Sequence, residues 1–397
     1  MSRHNQPLVN IDIKGIGKAY PPEVLARDQY LDLLAARVKP CANLTKLMAV
    51  VKTSHIETRH AIIPCDHEMF ARSTVPSIQE LNDLFSEEAP KLSLAAAHAA
   101  IKDWGGDTET ISHIVTGTVT GVMNPGLDYY MQQGLKLSPM VERYNLSGVG
   151  CAGGLATLRL AINLATARPG AKILVVCCEL CTLYGAQRFF RCTDDAPLDV
   201  AAALFGDGAS ALIIESTAVD PTASGRVTPP PARAEEDYIF RIVDYAVSTH
   251  PTSVNDLGFQ LENDGYKILL TRNVPRLGAE TLPPLVYKLL SAMPVPPAVT
   301  SIPFLIHPGG PAVLQVIEQS FGLERWQTTA SWDVLAKRGN TSSATIFAVM
   351  DAFRNAPPEK EHVNGDGYAV AAAFGPGVTT ECVLLQMGAR TGFVRRH

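Results

Sequence analysis

The sequence predicts an α/β fold built from two similar halves, each a sheet covered by helices. Three observations carry this. Apolar runs of strand length alternate with longer amphipathic runs, and strand–helix–strand order pairs strands in parallel with helices across their faces. The 397 residues exceed one ordinary core, and 46% apolar against 18% charged residues supplies a large buried surface. A segment in the middle of the chain is also echoed near its end.

The elements follow in order. Residues 93–104 (SLAAAHAAIKDW) carry an amphipathic helical pattern that stops at Gly105-Gly106. Residues 111–118 (ISHIVTGT) read as a buried strand, 152–167 as a helix punctuated by Pro169-Gly170, and 172–178 (KILVVCC) as the next buried strand. Later, 303–306 form a short apolar strand before His307. Residues 311–321 and 341–354 are helical, the latter rich in small residues, and a polar segment, 355–367, leads into a final strand pair. The echo is Ala203-Leu204-Phe205-Gly206-Asp207-Gly208 before the strand ALIIE, and Ala373-Phe374-Gly375-Pro376-Gly377 before ECVLL. Residues 216–236, rich in Pro, Ala and charge, divide the chain into halves 1–235 and 236–397.

Charge and composition exclude several classes. A net charge of −5 from 34 basic and 39 acidic residues, with no basic run, argues against general nucleic-acid binding, though a local basic patch for a phosphate-bearing ligand is compatible with it. The opening MSRHNQPLVNIDIKG has no apolar core of a secretory signal, no apolar run reaches membrane-span length, and the C-terminus lacks a prenylation box. A soluble cytoplasmic protein is expected. The eight cysteines are expected as free thiols. Cys178 and Cys181 form a C-x-x-C, but no second Cys or His pair follows at ligand spacing, so no metal is expected and a strand of small buried residues is the better reading.

Three residues stand out chemically. Cys151 lies in Gly148-Val149-Gly150-Cys151-Ala152-Gly153-Gly154, directly before a helix. Glycines there let a substrate approach the backbone, and a helix N-terminus favours a thiolate and a thioester oxyanion. A small cysteine packed in a Gly-rich turn explains the same residues equally well. His307 ends the apolar Phe304-Leu305-Ile306 and enters Pro308-Gly309-Gly310, at a strand end where α/β proteins place catalytic groups; a loop histidine bonded to backbone is the plainer alternative. Asn340, in Lys337-Arg338-Gly339-Asn340-Thr341-Ser342-Ser343, precedes a helix and also suits simple capping. Together they offer a nucleophile, a base and an amide donor.

At this constellation the chain resembles the chalcone synthase superfamily, the type III polyketide synthases, and within it the microbial, especially fungal, members. The resemblance rests on Thr120-Gly121-Val122-Met123-Asn124-Pro125-Gly126-Leu127-Asp128, the Cys151 segment, Leu204-Phe205-Gly206-Asp207-Gly208-Ala209, His307-Pro308-Gly309-Gly310-Pro311-Ala312 and Gly339-Asn340-Thr341-Ser342-Ser343-Ala344, and runs from about Lys52 to Gly377. It implies a duplicated, five-layered αβαβα thiolase fold, a homodimer, acyl-CoA and malonyl-CoA as substrates, and no metal or organic cofactor. By the resemblance, Cys151 holds the growing chain as a thioester. His307 and Asn340 hold the malonyl thioester carbonyl, and His307 helps to form the Cys151 thiolate. Phe205 gates the cavity, Thr120 and Ser342 border it, and Lys46, Lys52 and Arg59 meet CoA phosphates at the tunnel mouth.

Departures from the plant pattern concern the substrate. Ile268 stands where chalcone synthases carry a second gating Phe. Cys181 and Tyr184 replace two cavity threonines, Val119 replaces another, Ala201 replaces a glycine and Phe259 a small residue. These changes predict an aliphatic acyl-CoA starter, few extensions and a pyrone-type (or resorcinol-type) product, with Tyr184 and Phe259 narrowing the cavity. Asn124 falls where the family reaches into its partner's cavity, and a cis Asn124-Pro125 bond is expected. The rival readings are a ketoacyl synthase III-like enzyme making one condensation, a relative of hydroxymethylglutaryl-CoA synthase, and a non-catalytic acyl-CoA-binding member. The His-Pro-Gly-Gly-Pro and Phe-Gly-Pro-Gly motifs favour the polyketide branch.

Overall fold

The computed structural model describes residues 9–219, 237–262, 265–356 and 367–391. Most of the expected dividing segment (220–236), most of the polar segment (357–366) and the first eight residues lie outside the described residues.

Nine strands form the main sheet: β1 (Val9–Ala19), β4 (His113–Gly117), β5 (Glu142–Leu146), β6 (Lys172–Leu180), β7 (Asp207–Ala218), β8 (Phe240–Thr249), β11 (Phe304–Ile306), β12 (Tyr368–Gly375) and β13 (Thr379–Met387). Two small antiparallel pairs stand apart: β2 (Glu23–Ala26) with β3 (Thr58–Ala61), and β9 (Leu257–Glu262) with β10 (Gly265–Leu270). The main order is β11-β12-β13-β8-β1-β7-β6-β4-β5. The duplication predicted from one sequence echo is visible in this topology. β4-β6-β7-β1 and β11-β12-β13-β8 repeat one pattern, a parallel pair followed by two antiparallel steps. Two residue pairs between β1 and β8, Asp12 with Arg241 and Ile13 with Phe240, join the halves. The sheet is therefore mixed, not all parallel. No crossover helix separates β12 from β13, so the chain turns back at Pro376-Gly377 and pairs antiparallel.

Side-chain alternation explains the layers. In β6, Ile173, Val175 and Cys177 face one core, while Leu174, Val176, Cys178 and Leu180 face another. In β12, Ala369, Ala371 and Ala373 join the first of these cores, while Val370, Ala372 and Phe374 face a third. Strands buried on both faces read as unbroken apolar runs, as KILVVCC does. The shared middle core holds the helices Gly153–Ala167 and Thr345–Arg354. Helix Ile78–Trp104 covers one outer face, and helices Val274–Ser291 and Pro311–Phe321 the other. These are the five layers of the αβαβα thiolase fold.

The helix expected over 93–104 starts much earlier, at its Ser77 cap, and runs through Pro90. Proline costs a helical hydrogen bond, but Leu81, Phe85, Ala89, Ala96, Ala97 and Ala100 are all buried along one side, and that packing carries the helix across the break. Its end is as expected: Gly105, at φ 72°, caps it. The helix expected from 341 begins only at Thr345, after a tight turn over Ser342–Ala344 that starts with Ser342 at φ 48°. The Asn124-Pro125 peptide is cis.

Candidate active site

The two middle helices begin at the same place, and the candidate residues sit at their starts. Cys151 lies in a 3-10 turn, Gly150–Ala152, that runs into the helix Gly153–Ala167. Asn340 precedes the matching turn of the second half. The helix starts approach closely because glycine allows it. A Cβ on Gly154 would stand 2.5 Å from both Ser343 O and Ile346 Cγ2, and one on Gly375 would stand 2.6 Å from Val149 O. Asn340 is fixed by the backbone: its N–H donates to Leu204 O at 2.9 Å and its carbonyl accepts from Gly206 N–H at 3.0 Å. His307 leaves β11, with its N–H donating to Ala372 O of β12 at 2.8 Å.

Cys151, His307 and Asn340 border one cavity of about 50 Å³, otherwise walled mainly by Phe205, Leu257, Phe259, Ile268, Leu270, Val274 and Phe374. Burial dominates its electrostatics. The Cys151 thiol is pushed up to about 11, by burial first and by the nearby Glu179 carboxyl; hydrogen bonding with Ser342, to whose Oγ the thiol donates, and with Asn340 opposes the rise. The direction is opposite to the lowered thiol pKa expected from the helix end, because burial penalises the thiolate. His307 is pushed down to about 3 by burial, and neither ring nitrogen has a hydrogen-bond partner. Burial thus disfavours charge on both groups. The Asn340 side chain is oriented at both ends: Nδ2 donates to Gly309 O at 3.2 Å and Oδ1 accepts from Ser342 N–H at 2.8 Å.

The other expected residues divide. Phe205, Ile268 and Phe259 do line the cavity, the last two as cross-strand partners of β9 and β10. Ile268 also borders an outer cleft of about 430 Å³. Ser342 stands behind the thiol, its Oγ 3.7 Å from Cys151 Sγ. Cys181 and Ala201 pack with Cys151 and Phe205, and line a crevice on the far side of Phe205. Thr120 and Tyr184 are not in the cavity wall. Thr120 Oγ1 donates to Glu179 at 2.9 Å, and Tyr184 OH donates to Thr120 O at 2.6 Å, which turns the phenol into the packed core of the first half. Tyr184 thus does not narrow the Cys151 cavity.

Arg59 is the clearest correction. It is 3% exposed, its guanidinium donates to the carbonyls of Ala202, Ala203 and Phe205, and it lies 4.3 Å over the Tyr30 ring. A group so enclosed braces the Phe205 segment from inside and is no tunnel-mouth cation. Lys46 and Lys52 are exposed on the helix Ala42–Thr53; Lys46 Nζ lies 3.5 Å from Oδ1 of Asn43, which lines the outer cleft. Arg188, Arg191 and Lys267 line that cleft and were not singled out from sequence. Glu179 was also missed. Buried in β6, it accepts from Val119 N–H, Thr120 N–H, Thr120 Oγ1 and Ser343 Oγ, and burial raises its pKa. A lone acid inside VVCCEL was the available signal. Among the described residues no group of three metal-binding side chains occurs, and no helix is long and apolar enough to cross a membrane.

Comparison with known proteins agrees with this geometry. Residues 5–218 match the N-terminal domain of chalcone and stilbene synthases, and residues 243–388 the C-terminal domain. The type III polyketide synthase pspB of Penicillium soppii is 30% identical, over 97% of this chain and 98% of its own. The acylalkylpyrone synthase csyB of Aspergillus oryzae is 29% identical, over 96% and 95%. A type III pentaketide synthase from Neurospora crassa superposes with a TM-score of 0.83 at 31% identity, over 95% of this chain and 99% of that one. CsyB complexed with CoA-SH superposes at 0.84 with 28% identity, over 95% and 100%. Fold, site and relatives converge, and the chain belongs to the chalcone and stilbene synthase family as a type III polyketide synthase, an acyltransferase that performs decarboxylative condensation.

Proposed function

We propose that Cys151 carries the polyketide chain and that His307 and Asn340 stabilise the malonyl enolate. The observation behind this is the shared cavity, in which the buried His307 ring has two unpartnered nitrogens beside the Cys151 thiol. In loading, the thiol proton passes to His307 as sulfur attacks the acyl-CoA carbonyl; the CoA C–S bond then breaks and the CoA thiolate leaves, taking the proton back from His307. In extension, malonyl-CoA loses CO2, and the electrons move onto the thioester oxygen. N–H groups of His307 and Asn340 meet that oxygen, with no strong base required. The enolate carbon then attacks the Cys151 thioester, whose C–S bond breaks; Cys151 leaves as the thiolate, and the chain, extended on CoA, is passed back to it with release of CoA. CoA thioesters are the substrates, and no metal or organic cofactor takes part.

The starter is an aliphatic acyl-CoA, extended few times and cyclised to a pyrone or resorcinol. Ile268, Phe259, Leu257 and Leu270 give the cavity an apolar wall, and a relative is named an acylalkylpyrone synthase. The CoA phosphates lie at the outer cleft against Arg191 and Lys267, with the exposed Lys46 beside Asn43 at its edge, in place of Arg59. The enzyme acts in the cytoplasm as a homodimer. Intact-protein mass spectrometry with a panel of acyl-CoAs, followed by malonyl-CoA, tests the reading. Wild type gains one acyl mass, largest for fatty acyl groups, which malonyl-CoA chases into a released product without a carrier protein, while Cys151→Ala gains none. Equal acylation of the variant overturns the role of Cys151, and better turnover of p-coumaroyl-CoA than of any fatty acyl-CoA overturns the starter.

A further inference from the structure

Two cysteines distant in sequence meet at the edge of the outer cleft. Cys41 caps the helix Ala42–Thr53, its sulfur accepting from Leu44 N–H at 3.3 Å. Its thiol also reaches the Cys192 carbonyl oxygen at 3.4 Å. Cys192 follows the helix Gly185–Arg191 and forms part of the cleft wall. Both are partly exposed, unlike the buried Cys151, Cys177, Cys178, Cys181 and Cys382. Their surroundings hold them in register. Asn43 Nδ2 donates to Thr193 O and Ala196 O, each at 2.7 Å, and Ala42 N–H donates to Asp194 Oδ1 at 2.6 Å. The segment stitched down in this way supplies Cys192, Thr193, Pro197 and Leu198 to the cleft wall, then continues into Ala201 and Phe205 at the inner cavity.

We propose that Cys41 and Cys192 are an oxidation site, and that their disulfide locks the cleft wall and slows the entry of CoA thioesters. The oxidant is a low-molecular-weight disulfide such as oxidised glutathione. The Cys41 thiolate attacks one glutathione sulfur; the glutathione S–S bond breaks and one glutathione thiolate leaves. Cys192 then attacks the Cys41 sulfur of the mixed disulfide and expels the second. The protein loses two electrons and two protons, and one oxidised glutathione becomes two reduced ones. Burial holds Cys192 up to about 11, with Cys41 beside it adding to the rise, so the second step is the slower one and accelerates as pH rises. The Cys41 sulfur already reaches the Cys192 backbone at 3.4 Å, and the hydrogen bonds of Ala42 and Asn43 hold the two segments together. The covalent step rests only on this geometry; its kinetic effect rests on the cleft being the CoA passage proposed above.

The test treats the full-length enzyme with oxidised glutathione, maps disulfides by non-reducing peptide mass spectrometry, and measures acylation of Cys151 by acyl-CoA in the same samples. The expected result is a Cys41–Cys192 cross-linked peptide with a severalfold slower acylation, both reversed by dithiothreitol. Cys41→Ser, which keeps an oxygen at the helix cap, should load normally and lose both responses to oxidation. Absence of the cross-link, glutathione retained on Cys41, or a cross-link without slower acylation overturns the proposal, as does equal oxidative slowing in Cys41→Ser, which would place the damage at Cys151. Failure of the reduced wild type to acylate would instead overturn the proposed role of Cys151 and the cleft.

Discussion

With its thiol pushed up to about 11 by burial, Cys151 is almost entirely protonated at neutral pH, and a reagent that needs the thiolate will find little of it. The sign is that of a raised acid: the thiolate fraction grows as pH rises and levels off only above the shifted value. Alkylation of Cys151 by iodoacetamide in the absence of substrate should therefore climb roughly tenfold per pH unit between pH 7 and 10. A plateau already at pH 7, measured by peptide mass spectrometry, would mean that a thiolate–imidazolium pair exists at rest and that the proton does not wait for substrate. The uncharged resting state also fits His307, whose unpartnered ring is pushed down to about 3 and is neutral over the same range.

Among the secondary-structure elements, the pair of middle helices positions the chemistry, and glycine sets how closely they approach. Gly154→Ala poses opposite effects. Helix propensity alone favours alanine by about 1 kcal/mol. The added Cβ, however, would meet the Ser343 carbonyl and the Ile346 side chain at 2.5 Å, in a packed core with no room to give. Overpacking of this kind costs about 1–3 kcal/mol, so the clash wins. Thermal unfolding should show a lower Tm for Gly154→Ala, accompanied by slower acylation, since Cys151 and Asn340 stand at the helix starts being pushed apart. An unchanged or higher Tm would show that the two helices are not held at contact distance.

For the molecule as a whole, the proposed homodimer is testable at one exposed loop. Val122, 65% exposed, lies in the loop that leads into the cis Asn124-Pro125 bond, where a residue is expected to reach a second subunit. Sedimentation at micromolar concentration should give a dimer for wild type, and Val122→Asp should shift the population toward monomer by placing a charge in a desolvated contact. A monomeric wild type, or a variant that dimerises equally well, would remove this loop from the interface.

The chain by itself indicated the α/β class, the repeated halves, the places of Cys151, His307 and Asn340 at element ends, and a minority of the helices and strands. These follow from local features: strands buried on both faces are apolar throughout, and glycines mark the places where Gly105 ends a helix or Gly154 admits a neighbour. Tertiary structure alone decided the charge states and the membership of the cavity, because both depend on groups brought together from far along the chain. Arg59 has the sequence appearance of a phosphate-binding cation, yet three carbonyls near residue 203 enclose it. Tyr184 occupies a cavity position by alignment, yet its hydroxyl is drawn to Thr120 O and away from Cys151. The raised thiol pKa of Cys151 comes from the burial that both halves build around it, which its own Gly-rich segment does not reveal.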